Sequence, residues 1–358
     1  MKLEDYTYNL PEDLIASHPP EERGGSRLLA INRESGELKD DFYKNIADYF
    51  EPGDTLVLND TKVIKARLFV RKESGAEREI VILERHSYDN DWFRHKVMYR
   101  GKIKAGDKLT IDGSDAIITV LEILGDGLAE VQSTEDLREL CENFGTVPLP
   151  PYMRRDATPL DVKRYQTVFA EDKGSVAAPT ASLNMTDEIL KSLCAKGVNI
   201  CYLTLHVGLG TFMPIRVDDI ENHKMHQEYF EIPAETIEMI RQTKHAGHRV
   251  FALGTTVTRT LEYAFGDILP EVAGTSYTKK SSKQADGGLK GEADIFIYPG
   301  YRFELIDGLV TNFHAPKSTV LMLASAFAGW DNLLAAYNHA AQEEYKFLSY
   351  GDSMIIHN

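Results

Sequence analysis

Residues 62–132 hold six short β-forming runs, at 62–72, 79–86, 92–100, 108–111, 116–123 and 128–132, with no helix-length segment between them. Turn residues separate them: Glu73-Ser74-Gly75, Tyr88-Asp89-Asn90, Lys104-Ala105-Gly106-Asp107, Asp112-Gly113-Ser114 and Gly125-Asp126-Gly127. Strands this close cannot be linked by crossover helices, so they pair as antiparallel neighbours, and six of them suffice to close a small barrel.

From about residue 186 the pattern changes. Helix-like segments at 187–196, 233–246, 255–264, 317–328 and 331–345 alternate with strand-like segments at 198–206, 248–253 and 294–298. That alternation predicts a mostly parallel sheet or open barrel. Residues 55–58 read as another buried strand, so the first sixty residues go with the second half. The expected architecture is α/β: a large open α/β-barrel-like domain (1–60 plus 152–358) with a six-stranded antiparallel β-barrel (61–151) inserted. Residues 271–292 are polar and glycine-rich and are expected to form a mobile surface loop.

Three cysteines (Cys141, Cys194, Cys201) without a C-x-x-C spacing argue against a disulfide framework or thiolate zinc site. The acidic, proline-containing start lacks the basic and apolar regions of a signal peptide, and no apolar run reaches the ~20 residues of a membrane span. A cytoplasmic, monomeric protein with no membrane contact is expected. The net charge of −15 excludes a polybasic protein. It is unevenly spread, however: between Lys62 and Lys108 thirteen basic residues accompany seven acidic ones. Joined by Arg154, Arg155, Lys163 and Arg164, they form a candidate phosphate-contacting face.

Four tight clusters of glycine, proline and hydroxyl residues suit ligand contact better than core packing. Gly174-Ser175-Val176-Ala177-Ala178-Pro179-Thr180 allows close backbone approach. His206-Val207-Gly208-Leu209-Gly210-Thr211-Phe212 ends a strand, where α/β sheets bind ligands. It is not a dinucleotide fingerprint, because Met213-Pro214 follows where a helix should begin. Gly254-Thr255-Thr256 opens a helix and offers free N–H groups to an anion, with Arg259 one turn along. Thr311 to Thr319 again joins a strand to a helix and carries His314 and Lys317. His223-x-x-His226 with Glu228 lacks a further ligand pair, and no metal site is expected.

These segments, together with Tyr8-x-Leu10-Pro11, Ser26-Arg27-Leu28-Leu29, Leu58-Asn59-Asp60-Thr61-Lys62-Val63, Gly145-Thr146-Val147-Pro148-Leu149-Pro150-Pro151-Tyr152 and Ser349-Tyr350-Gly351-Asp352, carry a resemblance that runs nearly end to end. The chain resembles the S-adenosylmethionine:tRNA ribosyltransferase-isomerases of queuosine biosynthesis. The resemblance implies transfer and isomerisation of the ribosyl moiety of S-adenosylmethionine onto 7-aminomethyl-7-deazaguanine at the wobble position of tRNA. S-adenosylmethionine is then a consumed co-substrate and no cofactor is required; tRNA is the macromolecular partner. That chemistry needs a base, for which His206 and His314 are the candidates because both lie at strand ends in glycine- or proline-rich turns; Thr180, Asn184, Gly208, Gly210, Thr211, Phe212, Thr255 and Thr256 are candidate S-adenosylmethionine contacts, and Arg259 or Lys317 would hold its methionine carboxylate or a tRNA phosphate. Asp60 or Asp352 would meet ribose or the modified base. At Asn184-Met185 the family usually carries His-Phe, and asparagine can hydrogen-bond but cannot take a proton at neutral pH. Two other classes stay open on the residues alone, an RNA-binding protein without chemistry and a methyltransferase.

Overall fold

The structure, a computed structural model, describes residues 1–84, 91–208, 215, 217–273 and 280–358. Its centre is a ten-stranded sheet whose two edges stay unpaired, in the order Ser282–Lys283, Leu289–Ala293, Glu228–Ile232, Asn199–Leu205, Thr55–Asn59, Val250–Leu253, Gly308–Asn312, Ser353–His357, Arg27–Asn32 and Leu38–Phe42. The four central strands, from Asn199–Leu205 to Gly308–Asn312, run parallel. Every residue of Thr55–Asn59, Val250–Leu253 and Gly308–Asn312 is buried, as strands covered on both faces require. Side-chain alternation sends Val57 and Ala252 to one face and Leu56, Leu58 and Leu253 to the other. The first face packs beneath helices Ala234–His245, Thr255–Ile268, Thr319–Ala328 and Trp330–Gln342; the second packs against Tyr43–Tyr49 and Asp187–Ala195.

The sheet is mixed, not mostly parallel. Its flanks are antiparallel because Arg27–Asn32 and Leu38–Phe42 are joined by a short hairpin, and Leu289–Ala293 pairs antiparallel with both neighbours. This corrects two readings. The polar segment 271–292 is not simply a loop: Pro270–Ala273 is helical, and Ser282–Lys283 and Leu289–Ala293 extend the sheet, with Leu289 and Ala293 buried against the core. Residues 274–279 lie outside the described residues. The strand expected at 294–298 falls just before that position, because Leu289–Ala293 finds a partner in Glu228–Ile232 and the more apolar residues after it do not.

The inserted module is a closed barrel with strand order Leu128–Ser133, Arg94–Arg100, Glu77–Ile82, Arg67–Lys72, Lys108–Thr110, Ile117–Gly125. Closure removes both edges. Leu68, Val70, Ile80, Ile82, Val97, Ile118, Val120 and Val131 fill it, and the helix Leu137–Phe144 adds Leu137, Leu140 and Cys141 to the same core. The run expected at 62–72 is two strands. Thr61–Val63 pairs in parallel with Asp172–Ser175 outside the barrel, and a tight turn, with Ala66 N–H donating to the Ile64 carbonyl at 2.8 Å, redirects the chain into Arg67–Lys72. The return segment crosses this one so closely that a Cβ on Gly145 would lie 1.9 Å from the Lys65 carbonyl oxygen, so only glycine fits there. Among the described residues no single helix is long and apolar enough to cross a membrane.

Candidate active site

The carboxyl ends of the central parallel strands open at one edge of the sheet, where α/β folds bind ligands. A cavity of about 570 Å³ lies there, a volume suited to a nucleoside joined to an amino acid. Leu3, Val207, Ile215 and Leu348 give it apolar walls, and Thr180, Thr255, Thr256, Thr311, Asn312, His314 and Ser318 give it polar ones.

Two helices begin at this cavity. Gly254 precedes Thr255–Ile268 at φ +99°, a conformation reserved for glycine, and supplies no side-chain cap. The N–H groups of the first turn therefore have no intrahelical acceptor and present the positive end of a 14-residue helix to the space. Ser318 starts Thr319–Ala328, its Oγ accepting from Leu321 N–H at 3.2 Å. Just before it, Lys317 holds the left-handed conformation at φ +57°, strained for a side chain of that size, while its Nζ reaches Glu4 at 2.5 Å.

His314 stands between these helix starts. Its Nε2 lies 2.9 Å from Thr311 Oγ1, its N–H donates to Tyr337 Oη at 2.8 Å, and its carbonyl accepts from Tyr8 Oη. Burial pushes the imidazole down to about 3, so it is neutral at physiological pH. Asn312, 2% exposed, lines the same wall, and its Oδ1 has no hydrogen-bond partner among the described residues. The sequence reading passed over Asn312 as a site residue, although an asparagine closing an apolar strand was the signal for it.

Thr180, Thr255, Thr256, Lys317 and His314 thus meet around one cavity. Other candidates are held elsewhere. His206 does not border the cavity; it is buried with Nδ1 2.8 Å from Thr61 Oγ1 and its ring stacked near Tyr229. Its ring fills the space over Gly174, where a Cβ would fall 2.7 Å from Nε2. Arg259 is not free to take an anion: it is 6% exposed, ion-paired with Glu228, and donates to the carbonyls of Ala293 (3.1 Å) and Ile295 (3.2 Å). Gly208 donates its N–H to Glu228 Oε1 at 3.1 Å and packs against the barrel, where a Cβ would sit 2.4 Å from the carboxylate end of Glu84 and push that side chain aside. Gly210, Thr211 and Phe212 lie outside the described residues. Asp352 accepts the N–H groups of Arg27 and Lys346, each at 2.7 Å, which makes it a turn-fixing carboxylate. Asp60 accepts from Thr204 Oγ1 at 2.6 Å; burial, with Asp172 nearby, pushes its carboxyl up to about 6, but it does not border the cavity. Glu228 being paired with Arg259, no group of three His, Cys, Asp or Glu that could hold a metal occurs among the described residues.

Asn184 also belongs to the scaffold. It is 3% exposed; Oδ1 accepts from Ser26 Oγ at 2.9 Å, and Nδ2 donates to the Gly351 carbonyl and to Ser353 Oγ, both at 3.1 Å. It ties Arg27–Asn32 and Ser353–His357 together at their starts. Asn184→Ala is expected to cost about 2–3 kcal/mol of stability, from three lost buried hydrogen bonds, while single-turnover rate at a permissive temperature stays near wild type. A large rate loss with unchanged urea midpoint would instead put Asn184 on the substrate.

A family profile described as "Queuosine biosynthesis protein" matches residues 3–356. The S-adenosylmethionine:tRNA ribosyltransferase-isomerase of Pelodictyon phaeoclathratiforme is 51% identical, covering 99% of this chain and 100% of its own. That of Francisella tularensis subsp. novicida is 46% identical with full coverage of both chains. The crystal structure of the S-adenosylmethionine tRNA ribosyltransferase from Thermotoga maritima is similar over 98% of this chain and 99% of that one, at 33% identity and a TM-score of 0.53. With a match of this length and identity on a fold that joins the ten-stranded sheet to the closed barrel, the chain belongs to the S-adenosylmethionine:tRNA ribosyltransferase-isomerase family of queuosine biosynthesis.

Proposed function

We propose that this protein transfers and isomerises the ribosyl moiety of S-adenosylmethionine onto 7-aminomethyl-7-deazaguanine at the tRNA wobble position, giving epoxyqueuosine-tRNA, adenine and methionine. The supporting observation is one cavity that combines two helix N-termini, a row of hydroxyl groups and a neutral imidazole at the ends of parallel strands. In this reading the methionine carboxylate sits at the N–H groups of Thr255 and Thr256, where the helix dipole favours an anion. Thr180, Thr311 and the free Oδ1 of Asn312 meet ribose hydroxyls or the adenine amino group. His314 accepts the C5′ proton, which the adjacent sulfonium makes acidic; loss of adenine, attack by the aminomethyl nitrogen and epoxide closure with departure of methionine follow. His206 supports the wall behind Val207. In this reading the reaction consumes S-adenosylmethionine and needs no separate cofactor, and a tRNA substrate accords with a cytoplasmic location.

The test is to incubate the protein with S-adenosylmethionine and tRNA carrying the deazaguanine precursor and to identify the small products by mass spectrometry. Adenine and methionine in equal amounts are expected. S-adenosylhomocysteine as the product would mean methyl transfer, and tRNA binding without adenine release would mean an RNA-binding protein; either result overturns the reading.

A further inference from the structure

A second depression, of about 650 Å³, opens where the barrel's connecting strands meet the large domain. Arg23, Lys62, Lys65, Lys163, Arg164 and Lys173 line it, and Glu142 is the one carboxylate among the lining residues. Lys65 and Lys173 share that carboxylate, at 3.2 and 3.5 Å. Lys62 and Lys163 have no ion-pair partner among the described residues. Among the described residues Arg23 and Arg164 donate only to backbone carbonyls, of Gln166 and Lys163 in the first case and of Pro20 and Glu21 in the second. Burial and the neighbouring Arg164 push the Arg23 guanidinium down, and Asp187 only partly offsets them.

Seven of the other basic residues of the expected phosphate face pair with carboxylates of the protein itself. Arg67 and Arg100 face Glu79, Arg71 faces Glu77 and Asp112, Lys72 faces Asp107, and Arg94 faces Glu130. Arg154 pairs with Glu12 and Arg155 with Asp161. Arg78, Lys102, Lys104 and Lys108 keep open charge on the barrel, with no ion pair among the described residues, but only the groove gathers cations from several chain segments around one depression.

We propose that this groove seats the phosphate backbone of the RNA substrate, a proposal that rests on tRNA being the substrate. Its cations come from four separate chain segments, which gives a track suited to a polyanion instead of a point suited to one phosphate. It is also a built site. The Gln166 side chain clamps Val63, accepting from its N–H at 3.0 Å and donating to its carbonyl at 3.2 Å. Thr167, 6% exposed, lines the groove, and its Oγ1 has no partner among the described residues, leaving a hydroxyl for a phosphate oxygen. One small apolar cluster separates groove from cavity: its members Val63 and Val147 border the first, its member Ala178 borders the second, and Tyr152, also on the cavity, packs against it. A backbone seated in the groove thus lies one wall away from the reaction cavity, so that a base turned out of the loop can enter it.

The experiment compares tRNA binding by the wild-type chain, by Lys62→Glu with Lys163→Glu, and by Arg71→Glu with Arg94→Glu on the barrel. S-adenosylmethionine affinity and melting temperature are measured for each. The groove variant is expected to bind tRNA at least about 10-fold more weakly, and the slope of log affinity against log salt to fall by about 1 per lysine removed. The barrel variant should stay within about 2-fold. If charge reversal unfolds the groove variant, Lys62→Gln with Lys163→Gln carries the same comparison. A wild-type chain that binds tRNA while the groove variants bind it equally well overturns the groove alone, as does a barrel variant that loses as much. A wild-type chain with no affinity for tRNA overturns the substrate reading and the groove with it.

Discussion

His314→Ala should lower the single-turnover rate of adenine release by about 10²-fold, the low end of the range for a positioned proton acceptor because burial makes this imidazole a weak base, while His206→Ala stays within about 10-fold once its stability loss is allowed for. The contrast follows from placement: His314 borders the cavity, and His206 is buried behind it against Thr61. The pH profile adds a second readout. Burial pushes His314 down to about 3, so its deprotonated fraction is complete from pH 8 to pH 5 and it contributes no acidic limb there. A histidine at its ordinary value of about 6.5 would lose about 30-fold over the same range. Wild-type rates in that variant would remove His314 from the mechanism, and an acidic limb near 6.5 that disappears in His314→Ala would keep it as the proton acceptor but refute its lowered value. The same shift has a stability consequence. The unfolded imidazole binds its proton at higher pH than the folded one, so folding is progressively disfavoured as pH falls from about 6.5 towards 3.

The second large effect concerns the segment that borders both cavities. Asp161 is 1% exposed and accepts five hydrogen bonds: from Arg155 Nη1 and Nη2 at 2.7 Å each, from Thr158 N–H and Oγ1 at 2.8 and 2.7 Å, and from Tyr350 Oη at 2.9 Å. Asp161→Ala leaves the Arg155 guanidinium, with its side chain 16% exposed, without its carboxylate. A loss of about 3–5 kcal/mol is expected for breaking such a pair, measured by urea unfolding; a loss below about 1 kcal/mol would show that water replaces the carboxylate. Burial alone would raise this carboxyl, but the hydrogen bonds from Arg155, Thr158 and Tyr350 hold it well below the usual carboxylate range. Its contribution is therefore present above about pH 4 and is lost as pH falls through its lowered folded value. Because this segment carries Tyr152 to the cavity and Lys163 and Arg164 to the groove, Asp161→Ala should weaken S-adenosylmethionine and tRNA binding together.

Much of the fold follows from local pattern. Barrel strands separated by turn signals have only antiparallel pairing open to them, and apolar tetrads such as Val250–Leu253 can only be strands buried on both faces. The strand Leu289–Ala293 was hidden because Leu-Lys-Gly-Glu-Ala gains its place from a ladder with Glu228–Ile232, more than fifty positions away, and not from its own composition. The cavity was legible where function depends on a junction. Thr255, Thr256, Thr180 and Lys317 all stand where a strand or loop gives way to a helix, and such junctions expose N–H groups whatever the rest of the chain does.

Side chains that could serve either as ligand contacts or as scaffold were not separable in this way. His206 and His314 occupy similar strand-end turns, yet Thr61, 145 positions from His206, draws one ring inward. Arg259 has the right position on its helix for an anion, but Glu228 occupies its fork from a different strand. Asn184 departs from the family's usual residue next to a ligand-suited cluster and turns out to fasten Ser26 to Ser353. The basic run from Lys62 to Lys108 is real as sequence, yet neighbouring strands supply counter-charges to Arg67, Arg71, Lys72, Arg94 and Arg100, while cations from four segments meet around one groove. Most barrel strands, the central strands at 55–58, 198–206 and 248–253, and the family were readable from the chain alone, because these depend on near-neighbour periodicity and on ordered motifs. The tertiary structure decided which histidine, arginine and lysines are available to a substrate, because availability is set by partners that only folding brings within hydrogen-bonding distance.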